Sequence, residues 1–177
     1  MILLARHGQT TENAAGRILG RRDPPLSARG RADAAALARS LEGEEVRAVW
    51  TSPLARARET AAVAAAHLGL EAEVLDDLIE SRRGAWEGRT YAELAEEDPA
   101  LLAAFEAGEK TFAFPGGESL AEQIARTRRA LDAIAAGPQP ALLVAHAGTI
   151  RAAYALEGRP LPRERELPHG AVLRLGA

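Results

Sequence analysis

The chain has 177 residues and a mass of 18.7 kDa, enough for one domain with a real core and an expected folded surface of roughly 8,300 Å². Its 47% hydrophobic and 27% charged residues exclude a disordered chain, and a net charge of −3 excludes bulk attraction to nucleic acid or to an anionic membrane. With no cysteine, thiolate catalysis, thiolate metal sites and disulfides are excluded as well.

In chain order, residues 1–5 read as a strand. They are too few for a signal-peptide core, and no stretch approaches the roughly 18 apolar residues of a membrane span, so a cytoplasmic location is the expectation. A helix is predicted at 29–41, a strand at 46–51, a helix at 53–68 and a weaker strand at 71–75. Ser52-Pro53 offers an N-cap serine with proline at the first helical position. Short helices follow at 91–97 and 100–107, and 112–117 reads as a surface loop rich in proline and glycine. A long helix at 119–136, a strand at 141–145, a helix at 149–156 and a strand at 171–175 complete the series. Gly69, Gly108 and Gly137 fit helix C′ positions. Alternating strands and helices predict a single α/β domain over 1–177, with helices packed on a mostly parallel sheet.

Two of these strands end alike, in Arg6-His7-Gly8 and in His146-Ala147-Gly148. Ligands of open α/β sheets bind beyond the carboxyl ends of the strands, so two histidines placed there face one crevice. A third strand end leads to Arg56, close to a helix N-terminus. The helix dipole opposes a cation there, and an anion bound between the two would make the placement intelligible.

Further blocks extend the pattern. Arg6-His7-Gly8-Gln9-Thr10 is followed by Asn13 and by Gly20-Arg21-Arg22-Asp23-Pro24-Pro25-Leu26-Ser27-Ala28-Arg29-Gly30. Then come Ser52-Pro53-Leu54-Ala55-Arg56-Ala57, Glu80 with Gly84-Ala85-Trp86-Glu87-Gly88, Pro115-Gly116-Gly117-Glu118-Ser119, and His146-Ala147-Gly148-Thr149-Ile150-Arg151. In this order the blocks resemble the histidine phosphatase superfamily, the phosphoglycerate mutase-like enzymes, over nearly the whole chain. The resemblance implies a three-layer α/β sandwich with helices on both faces of the sheet. It implies a phosphomonoesterase acting on small phosphorylated metabolites without metal or cofactor. It gives His7 as the nucleophile that becomes phosphohistidine, Glu80 as general acid and base, and His146 as their catalytic partner. Arg6, Asn13, Arg56 and Ala147 become the phosphate-binding positions. The chemistry suits these residue types, since a neutral imidazole can attack phosphorus while cations gather charge on the equatorial oxygens.

The chain departs from the family's pattern in places. Glu12 stands where tryptophan is common and Asp33 where glutamine is common; both bear on packing or on pocket edges. Arg82 and Arg83 read as a solvated pair, with recognition of a second acidic group on the substrate as the alternative. His67 reads as structural, and His169 as structural or as part of the pocket rim. Rival functions are a cofactor-dependent mutase on the same scaffold and a non-catalytic module that holds a phosphorylated ligand. A metal-dependent hydrolase is disfavoured, because Asp76, Asp77 and Glu80 lack ligand spacing. No nucleotide-binding glycine motif is present, and no nucleic-acid or membrane partner is expected. The oligomeric state is not readable; a homodimer is one option.

Overall fold

The structure, a computed structural model, describes residues 1–175. In chain order the elements are β1 (Ile2–Arg6), α1 (Thr11–Ala14), α2 (Ala28–Ser40), β2 (Ala48–Thr51), α3 (Ala55–Leu68) and β3 (Ala72–Val74). They continue with α4 (Tyr91–Glu97), α5 (Pro99–Ala107), α6 (Leu120–Ala135), β4 (Ala141–Ala145), α7 (Ala147–Leu156) and β5 (Val172–Leu175). Short 3₁₀ turns lie at Asp76–Leu78, Gly84–Trp86 and Glu164–Glu166.

The strands form one sheet in the order β3-β2-β4-β1-β5. All neighbours are parallel except β5, which runs antiparallel to β1. Helices cover both faces, and this is why the strands are apolar runs instead of alternating ones. Successive side chains of a strand point to opposite faces. Thus Ile2 and Leu4 of β1, with Leu143 of β4, pack against Ile134 of α6 and Ile150 of α7. Leu3 and Ala5, with Leu142 and Val144, pack against Leu37 of α2 and Ala61 and Ala64 of α3. The alanine-rich face of α3 lets that helix sit close to the sheet. The solvent-accessible surface of 8110 Å² agrees with the value expected from mass. Among the described residues, no helix is long and apolar enough to cross a membrane.

A third cluster lies apart from the sheet, where Trp86, Phe105, Phe112 and Phe114 meet with ring centroids 4.8–5.7 Å apart. Segment 112–117 is therefore a loop as expected, but not a surface one: Phe112 and Phe114 are its buried anchors.

Element boundaries move by no more than two residues from the expected ones, and two terminal signals are corrected. Helix α3 starts at Ala55, and Ser52 does not cap it. The cap is supplied from a distance by Asp23, whose carboxylate accepts from the Ala55 N–H at 2.6 Å. Gly69 and Gly108 end α3 and α5 in the left-handed conformation, but Gly137 has no positive φ. Helix α1 was not expected, because four residues show no periodicity; its signal is the capping box between Thr10 and Asn13.

Candidate active site

β1 and β4 are adjacent and in register, Arg6 facing Ala145, so the residue after each strand stands beside the other. Those residues are His7 and His146, with ring centroids 5.2 Å apart. Arg6, His7, Asn13, Arg56, Glu80 and Ala147 line a single cleft at this end of the sheet. His146 is fully buried just behind it.

The tautomer of His7 follows from its partners. Nδ1 lies 2.8 Å from the Gly8 carbonyl oxygen, which can only accept, so Nδ1 carries the proton. Nε2 receives the Arg56 Nε–H at 3.2 Å, which requires a lone pair. Burial holds the imidazole pKa well below its ordinary value, and the positive charge of Arg56 pushes the same way. His7 is thus a neutral base whose unprotonated Nε2 lone pair is held toward Arg56.

Arg56 is fixed by the backbone. It donates to the carbonyls of Arg22 at 2.7 Å and Gly20 at 2.9 Å, and pairs with Asp23 at 3.2 Å. The carboxylate at the start of α3 thus both offsets the cation and caps the helix, so the anion expected between Arg56 and the helix N-terminus is the protein's own Asp23. Arg6 is anchored by the carbonyls of Glu164 and Leu167, and its Nε is buried without a partner. The His146 Nε2 lies 2.7 Å from the Ser52 hydroxyl, which itself accepts the Leu54 N–H. The hydroxyl proton is then available to Nε2, leaving the imidazole proton on Nδ1, a buried donor without a partner. An oxyanion in the cleft would satisfy such donors. Asn13 uses its side-chain oxygen on Thr10, leaving its NH₂ end for a ligand.

Glu80 is buried in the wall of the cleft. Its Oε1 accepts from the Ser81 N–H at 2.7 Å and from Gln123 at 3.2 Å, and its Oε2 from the Gly148 N–H at 3.2 Å. Burial alone would raise its pKa. Arg83, the Ser81 amide, Arg56 and the Gly148 amide outweigh that and hold it at about 2.

The expectation of a solvated Arg82–Arg83 pair is wrong for Arg83. Arg82 is exposed, but Arg83 is 2% exposed, pairs with Glu164 at 2.6 Å and Glu80 at 3.4 Å, and stacks over Phe114. Glu164, Arg17 and Arg165, none of them expected, also line the cleft, as does Tyr91. Glu164 was masked by its setting, since Arg163-Glu164-Arg165-Glu166 reads as a solvated charge run. Of the remaining expectations, Glu12 pairs with Arg22 at the surface, and Asp33 holds the Gln9 N–H. His67 is exposed in the last turn of α3, and His169 does not line the cleft but bonds to the backbone of His7.

A covered α/β sheet gathers arginines and histidines around one cleft at its strand ends. The chain belongs to the histidine phosphatase superfamily, whose branch 1 model matches residues 2–175. It is 41% identical over 153 residues to a bifunctional protein of Mycobacterium tuberculosis, a match covering 85% of this chain and 42% of that protein. It is 38% identical to the metal-independent phosphoserine phosphatase of Arabidopsis thaliana, covering 86% of this chain and 66% of that one. The chain thus spans less than two thirds of the length of these relatives. Among solved structures, the mycobacterial glucosyl-3-phosphoglycerate phosphatase in complex with VO3 superposes with a TM-score of 0.82 at 33% identity, over 90% of this chain and 81% of that one.

Proposed function

We propose that this chain is a phosphomonoesterase for small phosphorylated metabolites, working through a phosphohistidine on His7. The carrying observation is the state of His7: neutral, with its proton fixed on Nδ1 by Gly8 and its Nε2 lone pair facing Arg56 in an arginine-lined cleft. Nε2 attacks phosphorus as the bond to the ester oxygen breaks, and the proton carried in by the phosphate monoanion passes through Glu80 to the departing oxygen. Arg6, Arg56, Asn13 and the His146 Nδ1–H hold the equatorial oxygens. Glu80, now a carboxylate, removes a proton from water, which attacks phosphorus. The N–P electron pair returns to Nε2, and phosphate leaves.

The cleft is lined by five arginines and two glutamates. Arg17, exposed at the edge of the cleft, suits a carboxylate near the ester. The substrates named for two relatives, phosphoserine and glucosyl-3-phosphoglycerate, both carry one.

The test is phosphate release from a panel of phosphomonoesters, with His7→Ala as control. The variant should fold and lose turnover. Rapid quench of the parent should trap an adduct stable to alkali and labile to acid, as a phosphoramidate is. Substantial turnover by His7→Ala, or an acid-stable adduct, would refute the reading.

A further inference from the structure

One half-buried imidazole, outside the cleft, makes its bond to the backbone of His7. The His169 Nδ1 lies 2.9 Å from the His7 carbonyl oxygen, which can only accept, so Nδ1–H is the donor. The two rings are 5.6 Å apart. The next residue, Gly170, donates its N–H to the Arg6 carbonyl at 3.0 Å, extending the contact between the chain before β5 and the end of β1.

The bonded carbonyl belongs to the His7–Gly8 peptide, and the other end of that peptide is also held. The Gly8 N–H donates to Thr60 Oγ1 at 3.0 Å, and the Thr60 hydroxyl donates to the Arg56 carbonyl at 2.8 Å. Thr60 is fully buried on α3, the helix that carries Arg56. Both polar ends of one peptide plane are thus fixed by side chains from two separate elements. The plane leads directly to the Gly8 carbonyl, the group that keeps the proton on His7 Nδ1.

We infer that His169 is a positioning residue for the nucleophile, acting with Thr60 to fix the His7–Gly8 peptide and, through it, the tautomer that leaves Nε2 unprotonated. A bond to a backbone carbonyl orients the ring without touching substrate, so its loss should appear in kcat and not in KM. Burial and the nearby Arg6 hold the His169 pKa down at about 4, so at neutral pH the ring is uncharged and keeps its single N–H for this bond.

The inference rests on His7 as nucleophile, and the tests separate the two. Asparagine places an N–H donor where Nδ1 stands; glutamine places its donor farther out, and leucine has none. His169→Asn should keep kcat within about threefold of the parent. His169→Leu, His169→Gln and Thr60→Val should each lower kcat tenfold or more at unchanged KM, in protein whose circular dichroism matches the parent. Nitrogen NMR of the His7 ring gives a readout independent of turnover: a single Nδ1–H form in the parent and in His169→Asn, and a tautomer mixture in His169→Leu. Parent-like kcat and an unchanged His7 spectrum in His169→Leu would overturn the inference, as would loss in His169→Asn equal to that in His169→Leu. A parent that releases no phosphate would refute the proposed function instead, and the nitrogen spectra would still decide the role of His169.

Discussion

Glu80 and Gly148 are in contact at the start of α7, where the Gly148 N–H donates to Glu80 Oε2 at 3.2 Å. A Cβ on Gly148 would stand 2.3 Å from Glu80 Oε1 and 2.2 Å from Gln123 Nε2. The carboxylate and the helix can approach this closely only because residue 148 has no side chain. Gly148→Ala should therefore displace Glu80 and cost much of what a general acid supplies, about 10²-fold or more in kcat. Steady-state kinetics on the folded variant would check this; a kcat within threefold of the parent would show that Glu80 is not needed at this position.

The pH profile should be shifted from that of an ordinary histidine enzyme. His7 is held neutral well below its ordinary value, so lowering the pH through about 6.5 leaves the nucleophile competent. Glu80 in the empty site is a carboxylate down to about pH 2, so the proton for the leaving group must arrive with the substrate. A phosphomonoester dianion takes up a proton near pH 6 and becomes the monoanion. The expected kcat/KM rises as pH falls from about 8 toward 6 and then levels. An acid limb with a midpoint near 6.5 would contradict the low proton affinity of His7.

Much of this site is legible in the sequence because it sits at strand ends. The apolar runs mark β1 and β4, and a register that pairs Arg6 with Ala145 brings His7 and His146 together. What is hidden depends on partners distant in the chain. Nothing local distinguishes Arg83 from Arg82; a glutamate 81 residues away does. Asp23 caps a helix 32 residues further on, so Ser52, next to the helix, looked like the better cap. The aromatic cluster escaped because Phe112 and Phe114 are flanked by proline and glycine, a pattern that ordinarily marks an exposed turn.

The fork of Arg56 should not be replaceable by lysine. Its nitrogens reach two backbone carbonyls, Asp23 and His7 Nε2 in different directions, and an ammonium cannot serve them together. Arg56→Lys should lose about 10²–10³-fold in kcat. If arginines supply the charge that a divalent ion supplies elsewhere, the parent should keep its activity after exhaustive EDTA treatment and be inhibited by vanadate. Loss with EDTA and recovery with a divalent ion would sink that mechanism.

Stability offers a test where the chain after β1 meets the start of α2. A Cβ on Gly30 would lie 1.9 Å from the Gln9 carbonyl oxygen, and one on Gly8 would lie 2.3 Å from the Gly30 oxygen, so the two backbones interlock. Gly30→Ala should cost about 1–3 kcal/mol, a fall in Tm of roughly 2–12 °C. Gly137→Ala is the control: its nearest neighbour is Ile134 O at 3.5 Å and its φ is not positive, so Tm should move little.

Hydrolysis should outpace isomerisation. A mutase must exclude water while its intermediate reorients, which calls for a lid and added cations. Between Arg89 and Phe114, α4 and α5 instead insert Leu94, Leu102 and Phe105 into the aromatic cluster, and Lys110 is the sole lysine of the chain. Given 3-phosphoglycerate with a trace of bisphosphate, the enzyme should release phosphate faster than it forms 2-phosphoglycerate. Isomerisation many-fold faster than release would reverse the assignment.

The pairing of β1 with β4 also bears on how the molecule assembles. Ile2 meets Ala141, and Leu175 closes the other edge of β1, so the strand that leads into His7 is seated only by segments far along the chain. Closing such long loops is slow and entropically costly, and no isolated fragment holds all the groups that meet a phosphate. Phosphate-dependent protection should therefore emerge during refolding together with the global transition, making the ligand a reporter of the finished molecule and not of any of its parts.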